Sequence, residues 1–262
     1  MKYSVLAMSV LLMSGLVSPE VRAADLPSTT MVEPVQIESE GWTFTIAPYL
    51  WAANLSGKTG RLGRSAIKLN SSFSDTLEIL DFSAMLVTEA RYDRYLVFGD
   101  FMYTKISTDK VTPRGILAQN IDLASESATG FIGMGYSVVQ NEKMTVDLVV
   151  GARAWYVSTD LTLDSGFLNA RQVHDSEAWF DAMVGVRAKY SFTDKIFLTG
   201  STFIGAGEAD LDWGTVGLLG YKFNDSVSAV VGYRAIGVDY MKGGFSYDVV
   251  QQGPIAALTI NF

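Results

Sequence analysis

The residues in this chain that could do chemistry are few and scattered. Its single histidine, His174, stands beside Asp175, and a His–carboxylate pair is the smallest unit from which a general base could be built. Such a base also needs an orienting partner and a positioned water or nucleophile. No acidic pair stands out as its counterpart, so His174 is expected to be a solvated loop residue. Glu208, Asp210 and Asp212 fall two apart, on one face if extended, where carboxylates could hold a divalent cation. They lack the glycine-turned loop of a calcium site, and the expectation is a solvated acidic rim. Gly133-x-Gly135 and Gly205-x-Gly207 are too short to cradle phosphate and mark bends or close backbone approach. With no cysteine, thiol nucleophiles, thiolate metal sites and disulfides are all excluded. No catalytic residue, cofactor or metal is expected.

A larger set of charges emerges when the chain is read in steps of two. In 176–192, Ala178, Phe180, Ala182, Val184, Val186, Ala188 and Tyr190 share one face. Glu177, Trp179, Asp181, Met183, Gly185, Arg187 and Lys189 share the other, and this dyad period predicts a strand with one oily and one polar side. Segment 143–158 repeats the pattern. The polar phase across all segments holds Glu89, Arg91, Asp100, Asp147, Arg153, Glu177, Asp181, Arg187, Lys189, Lys222 and Arg234, five acids against six bases. Gathered inside a narrow barrel, such charges must pair or stay hydrated, since an unpaired ion away from water costs several kcal/mol.

The elements that would gather them are ten alternating segments, near 42–54, 82–92, 95–106, 120–138, 143–158, 176–192, 195–206, 210–223, 226–240 and 248–262. Every second connection is tight and polar, at Asp93-Arg94, Asn141-Glu142, Thr193-Asp194-Lys195 and Asn224-Asp225-Ser226. Most others are longer: 55–81, 107–119 and 159–175, then the shorter 207–209 and 241–247. Short turns on one rim and long loops on the other are the layout of an outer-membrane barrel. Aromatics beside the tight turns, such as Tyr92, Tyr95, Tyr136, Tyr190 and Tyr221, suit the lipid–water interface. The predicted fold is all-β, a single antiparallel up-and-down transmembrane barrel of about ten strands, with eight or twelve as alternatives. Within the first long loop, 73–82 breaks the dyad pattern. Asp75 with Glu78 resembles a capping box, and one or two helical turns are expected there.

Composition agrees with this solvent. Hydrophobic residues make up 48% of the 262 and charged residues only 18%, yet beyond the N-terminal stretch no apolar run is long enough for a spanning helix. Met1–Lys2, the apolar stretch Val5–Val17 and the Val21-Arg22-Ala23 site read as a cleavable export signal, 1–23, cut after Ala23. Residues 24–41 read as a periplasmic leader and 42–262 as the barrel. Removing Lys2, Glu20 and Arg22 with the signal leaves 18 basic and 27 acidic residues, a balance of −9 that argues against nucleic-acid binding.

The chain ends with Leu258, Ile260 and Phe262 on one face and an aromatic as the last residue, like the carboxy-terminal signal by which such barrels are recognised for insertion. The stretches Ala47–Ala53, Phe73–Asp75 through Leu80–Phe82, Trp179–Arg187 and Gly232-Tyr233-Arg234 resemble a family of uncharacterised proteobacterial outer-membrane barrel proteins. The resemblance covers essentially the whole mature chain and implies location and fold but no settled activity. The expected function is a structural or surface-interaction role, with a charge-paired, largely filled lumen and no enzymatic activity. A narrow porin-like channel is the alternative, and an outer-leaflet protease or lipid-modifying enzyme a distant one. Expected partners are outer-membrane lipid and lipopolysaccharide, and the barrel-assembly machinery during biogenesis.

Overall fold

A computed structural model describes residues 41–61, 67–78, 80–111, 120–164 and 171–262. The export signal and nearly all of the leader lie outside the described residues. Ten antiparallel strands close into a barrel: β1 (Trp42–Trp51), β4 (Leu80–Tyr92), β5 (Tyr95–Val111), β6 (Asn120–Gln140), β7 (Met144–Asp164), β8 (Arg171–Ser191), β9 (Ile196–Gly207), β10 (Leu211–Lys222), β11 (Val227–Lys242) and β12 (Phe245–Asn261). Each pairs with its neighbour in chain order, and β12 closes onto β1 from Thr45↔Asn261 to Trp51↔Ile255. No helix among the described residues is long and apolar enough to cross a membrane.

The alternation settles which way each side chain points. On β8, Phe180 and Val184 are 63% and 55% exposed, whereas Trp179, Asp181 and Met183 between them are 0–1% exposed. Leu148 and Val150 face outward on β7, and Asp147, Val149 and Arg153 face inward. An apolar exterior over a polar and aromatic interior inverts the pattern of a water-soluble barrel, and it makes this a membrane-spanning one. Trp42, Tyr92, Tyr95, Tyr136, Tyr190 and Tyr221 stand exposed beside the tight turns, as an interfacial girdle requires.

The long connections are largely strand. β6, β7 and β8 each run 21 residues, about 70 Å at roughly 3.3 Å per residue. A tilted strand crosses the hydrocarbon in about 9–11 residues, so roughly half of this wall stands beyond the membrane on the rim opposite the tight turns. The expected 241–247 loop is a tight hairpin through Gly243 and Gly244, both at positive φ (60° and 88°), a conformation glycine adopts without strain.

The first long connection also holds more order than expected. Chain past Ala52-Ala53 forms β2 (Asn54–Arg61), which pairs with β12 from Gln252↔Asn54 to Phe245↔Arg61, and folds back as β3 (Ile67–Ser71). The expected helical turns are α1 (Phe73–Glu78). Its box partners differ from those expected. Asp75 N–H donates to Ser72 Oγ at 3.2 Å and Ser72 N–H to Asp75 Oδ2 at 3.0 Å, so Ser72 is the cap and Asp75, not Glu78, answers it. The β1–β4 ladder stops at Pro48↔Leu86, where proline has no N–H to give.

Candidate functional site in the barrel lumen

The interior charges fall into three groups stacked along the barrel. Nearest the tight-turn rim, Arg91 forks onto Asp147 at 2.7 and 3.1 Å and bonds Glu89 at 3.0 Å. Arg187 reaches the other oxygen of Glu89 at 2.7 Å, and the Ser137 hydroxyl donates to Asp147 at 2.6 Å. Such bidentate, charge-assisted bonds are the strong ones. In the middle layer, Arg234 binds Asp100 at 2.6 Å and Tyr49 Oη at 2.8 Å, and Tyr49 donates to Asp100 at 2.8 Å. Above them Arg153 binds Asp212, whose second oxygen accepts Trp155 Nε1–H at 2.7 Å.

The partners are not the register neighbours. Adjacent-strand pairing would join Asp147 to Arg187 and Arg153 to Asp181, which are indeed register neighbours. Instead the bonds run to β4 and β10, because inward side chains in a narrow barrel meet across the axis as readily as along the wall. Among the described residues Asp181 pairs with no cation. It accepts Ala209 N–H at 2.8 Å, and its Oδ2 is buried with no hydrogen bond. Glu177 sits farther out on β8, one inward position beyond Trp179.

Asp212, assigned from sequence to a solvated acidic rim, is fully buried. Glu208 pairs with Lys242 on the surface and Asp210 is exposed, so the three carboxylates do not converge, and no metal-holding cluster occurs among the described residues. Gly214 leaves room beside the Arg153 guanidinium, since a Cβ there would lie 3.1 Å from its Nη2.

Aromatic rings gather in the outer half of the lumen. Trp179 stacks on Tyr240 at 4.2 Å between centroids and on Trp155 at 5.8 Å, and Tyr247 leans on both tryptophans. Phe245, Trp51, Ile236, Val238 and Val249 pack into the same cluster. These residues come from β1, β7, β8, β11 and β12, so the layer is anchored on strands around the barrel. The sequence signal was available: Trp155 and Trp179 fall in the polar phase of their strands, where a filling role is the physical reason for an aromatic. A second apolar group, Leu96, Phe98, Phe131, Val149, Met183 and Phe203, lines the opposite wall lower down.

Below the aromatic layer the lumen is open. A cavity of about 580 Å³ runs from Gln140, Thr145, Asn224 and Asn261 at the tight-turn rim up to Arg153 and Ile236. The expectation of a lumen filled by paired charges therefore needs revision. The four lumen arginines pair, rings fill the outer half, and the half nearer the tight turns keeps open space.

His174 does not lie in a loop. It stands on β8 opposite Asp160 of β7, with Nδ1 and Oδ1 2.6 Å apart and side chains 60% and 45% exposed. By the unbroken register it shares the outward face with Tyr156 and Phe180.

No family model matches the chain, and no curated protein matches it. Among solved structures, it is similar to the outer membrane protease OmpT of Escherichia coli, with 10% identity, 90% of this chain and 100% of that chain covered, and a TM-score of 0.47. It is also similar to the attachment invasion locus protein Ail of Yersinia pestis (13% identity, 85% and 99% covered, TM-score 0.35) and to Neisserial surface protein A (16%, 85% and 100%, TM-score 0.30). The first is an outer-membrane protein and the third a surface protein by name. At these scores they carry no argument about activity, and the barrel assignment rests on the closed ladder itself.

Proposed function

We propose that this is a Gram-negative outer-membrane barrel whose work is done at its outer rim, by a wall held rigid from within and closed to solute passage. The observation that carries the reading is the ring layer of Trp155, Trp179, Tyr240 and Tyr247 across the outer lumen. The tall β5–β8 wall supports a surface-interaction role, because it projects half its length beyond the apolar belt. The outward, exposed position of His174 and Asp160 supports a non-enzymatic protein.

In this reading the lumen ion pairs are structural, the exterior meets outer-membrane lipid and lipopolysaccharide, and Leu258, Ile260 and Phe262 present the insertion signal to the assembly machinery. Liposome swelling tests the closed lumen. Proteoliposomes should not swell in isotonic sugars or amino acids, and swelling would move the porin-like alternative into first place.

A further inference from the structure

We propose that the open half of the lumen is a binding cup for a small anion bearing phosphate or carboxylate groups, reached from the tight-turn rim and blind at its outer end. The argument begins with the cations. Six cationic side chains line the cavity, and each of the four arginines has its own acid: Arg91 with Asp147, Arg187 with Glu89, Arg234 with Asp100 and Arg153 with Asp212.

Lys189 and Lys222 remain, two cations against one further lining carboxylate, Asp225 in the turn at the rim. Neither makes an ion pair among the described residues, and both face the cavity from neighbouring parts of the wall on β8 and β10. Lys189 lies over the Phe197 ring at 4.7 Å, which holds the ammonium in place without neutralising it.

Two like charges held in one cavity repel each other, and water only weakens that repulsion. A multiply charged anion between them turns it into attraction. Inward hydroxyls of Ser201, Ser228 and Thr259 surround the same space and can donate to its oxygens. A cavity of about 580 Å³ has room for a small organic anion but not for a folded partner. The aromatic layer sets the direction of access: a ligand arrives and leaves by the rim of Asn224 and Asn261. The cup goes beyond the closed-barrel reading and does not depend on what the outer rim contacts.

The test uses the refolded chain in a zwitterionic detergent, titrated with inorganic phosphate in one arm and citrate in the other, against sodium chloride at matched ionic strength. At least one anion should raise Tm saturably, as any ligand of the folded state does. The Lys189→Gln/Lys222→Gln variant should bind that anion at least tenfold more weakly. In anion-free, low-salt buffer the same variant should melt no earlier than the parent, since only repulsion is removed, whereas Arg91→Gln should melt earlier. On the unaltered chain, the effective anion should also protect Lys189 and Lys222 from amine acetylation read by mass spectrometry. No saturable shift with either anion, equal shifts in parent and variant, or failure of the double variant to refold would each overturn the cup.

Discussion

Arg153 and Asp181 face each other directly in the β7–β8 register, yet the guanidinium of Arg153 binds Asp212, three strands away on β10. The choice is physical. Asp212 also accepts the Trp155 N–H, so one carboxylate satisfies two donors in the plane where the aromatic layer begins. Asp212→Ala should therefore strand a buried guanidinium and an indole N–H, at about 3–5 kcal/mol. Asp181→Asn keeps the acceptor for Ala209 N–H and removes an uncompensated charge, so it should be neutral or stabilising. Urea denaturation of the refolded barrel measures both, and equal destabilisation by the two would contradict this assignment.

Much of this was legible in the sequence, and the part that was not has one cause. Period 2 along 143–158 and 176–192 identifies which side chains point inward, since adjacent residues on a strand must face opposite ways. It says nothing about how far inward a residue reaches or whom it meets there. Asp147 and Arg187 could be placed in the lumen, but their partners Arg91 and Glu89 depend on the barrel's diameter and stagger. Asp212 was lost because a run of carboxylates near a turn reads as a solvated rim. The β2–β3 hairpin was lost because Asn54–Arg61 is polar on both faces and interrupted by Gly57 and Gly60, leaving no alternation to detect.

The lipid face makes a second prediction. Val184→Arg or Leu148→Arg places a charge on the exposed apolar belt, at roughly 2–4 kcal/mol near the midplane. Ser201→Gln, on a residue lining the cup, meets water and should cost far less. Heat-modifiable gel mobility after refolding into bilayers reports folded fraction. Similar losses from both classes would mean the inward and outward phases are exchanged.

Orientation gives a third. Epitope tags in the β5–β6 connection at 112–115 should be reachable on intact cells, and tags at Asn224–Ser226 should not. Antibody labelling of whole and permeabilised cells reads the difference. Surface labelling at 224–226 would turn the barrel over.

A fourth concerns pH at the outer rim. The hydrogen bond and charge of Lys242 hold the Glu208 carboxyl below its ordinary range. A carboxyl so lowered stabilises the fold above its unfolded pKa, near 4.3, and that contribution fades as pH falls through the folded value. Amide exchange of the 208–210 turn, corrected for intrinsic rates, should therefore quicken below about pH 4 relative to pH 7. Lys242→Met should remove most of that dependence. An unchanged profile in the variant would show that the pair does not hold the turn.

The central claim is that stacked rings close the outer lumen, and planar-bilayer conductance tests it most directly. The parent barrel should be electrically silent at low voltage. Trp155→Gly/Trp179→Gly, which empties the centre of the layer above the existing cavity, should show stable ion-conducting steps. Steady conductance from the parent, unchanged when both rings are removed, would contradict the account.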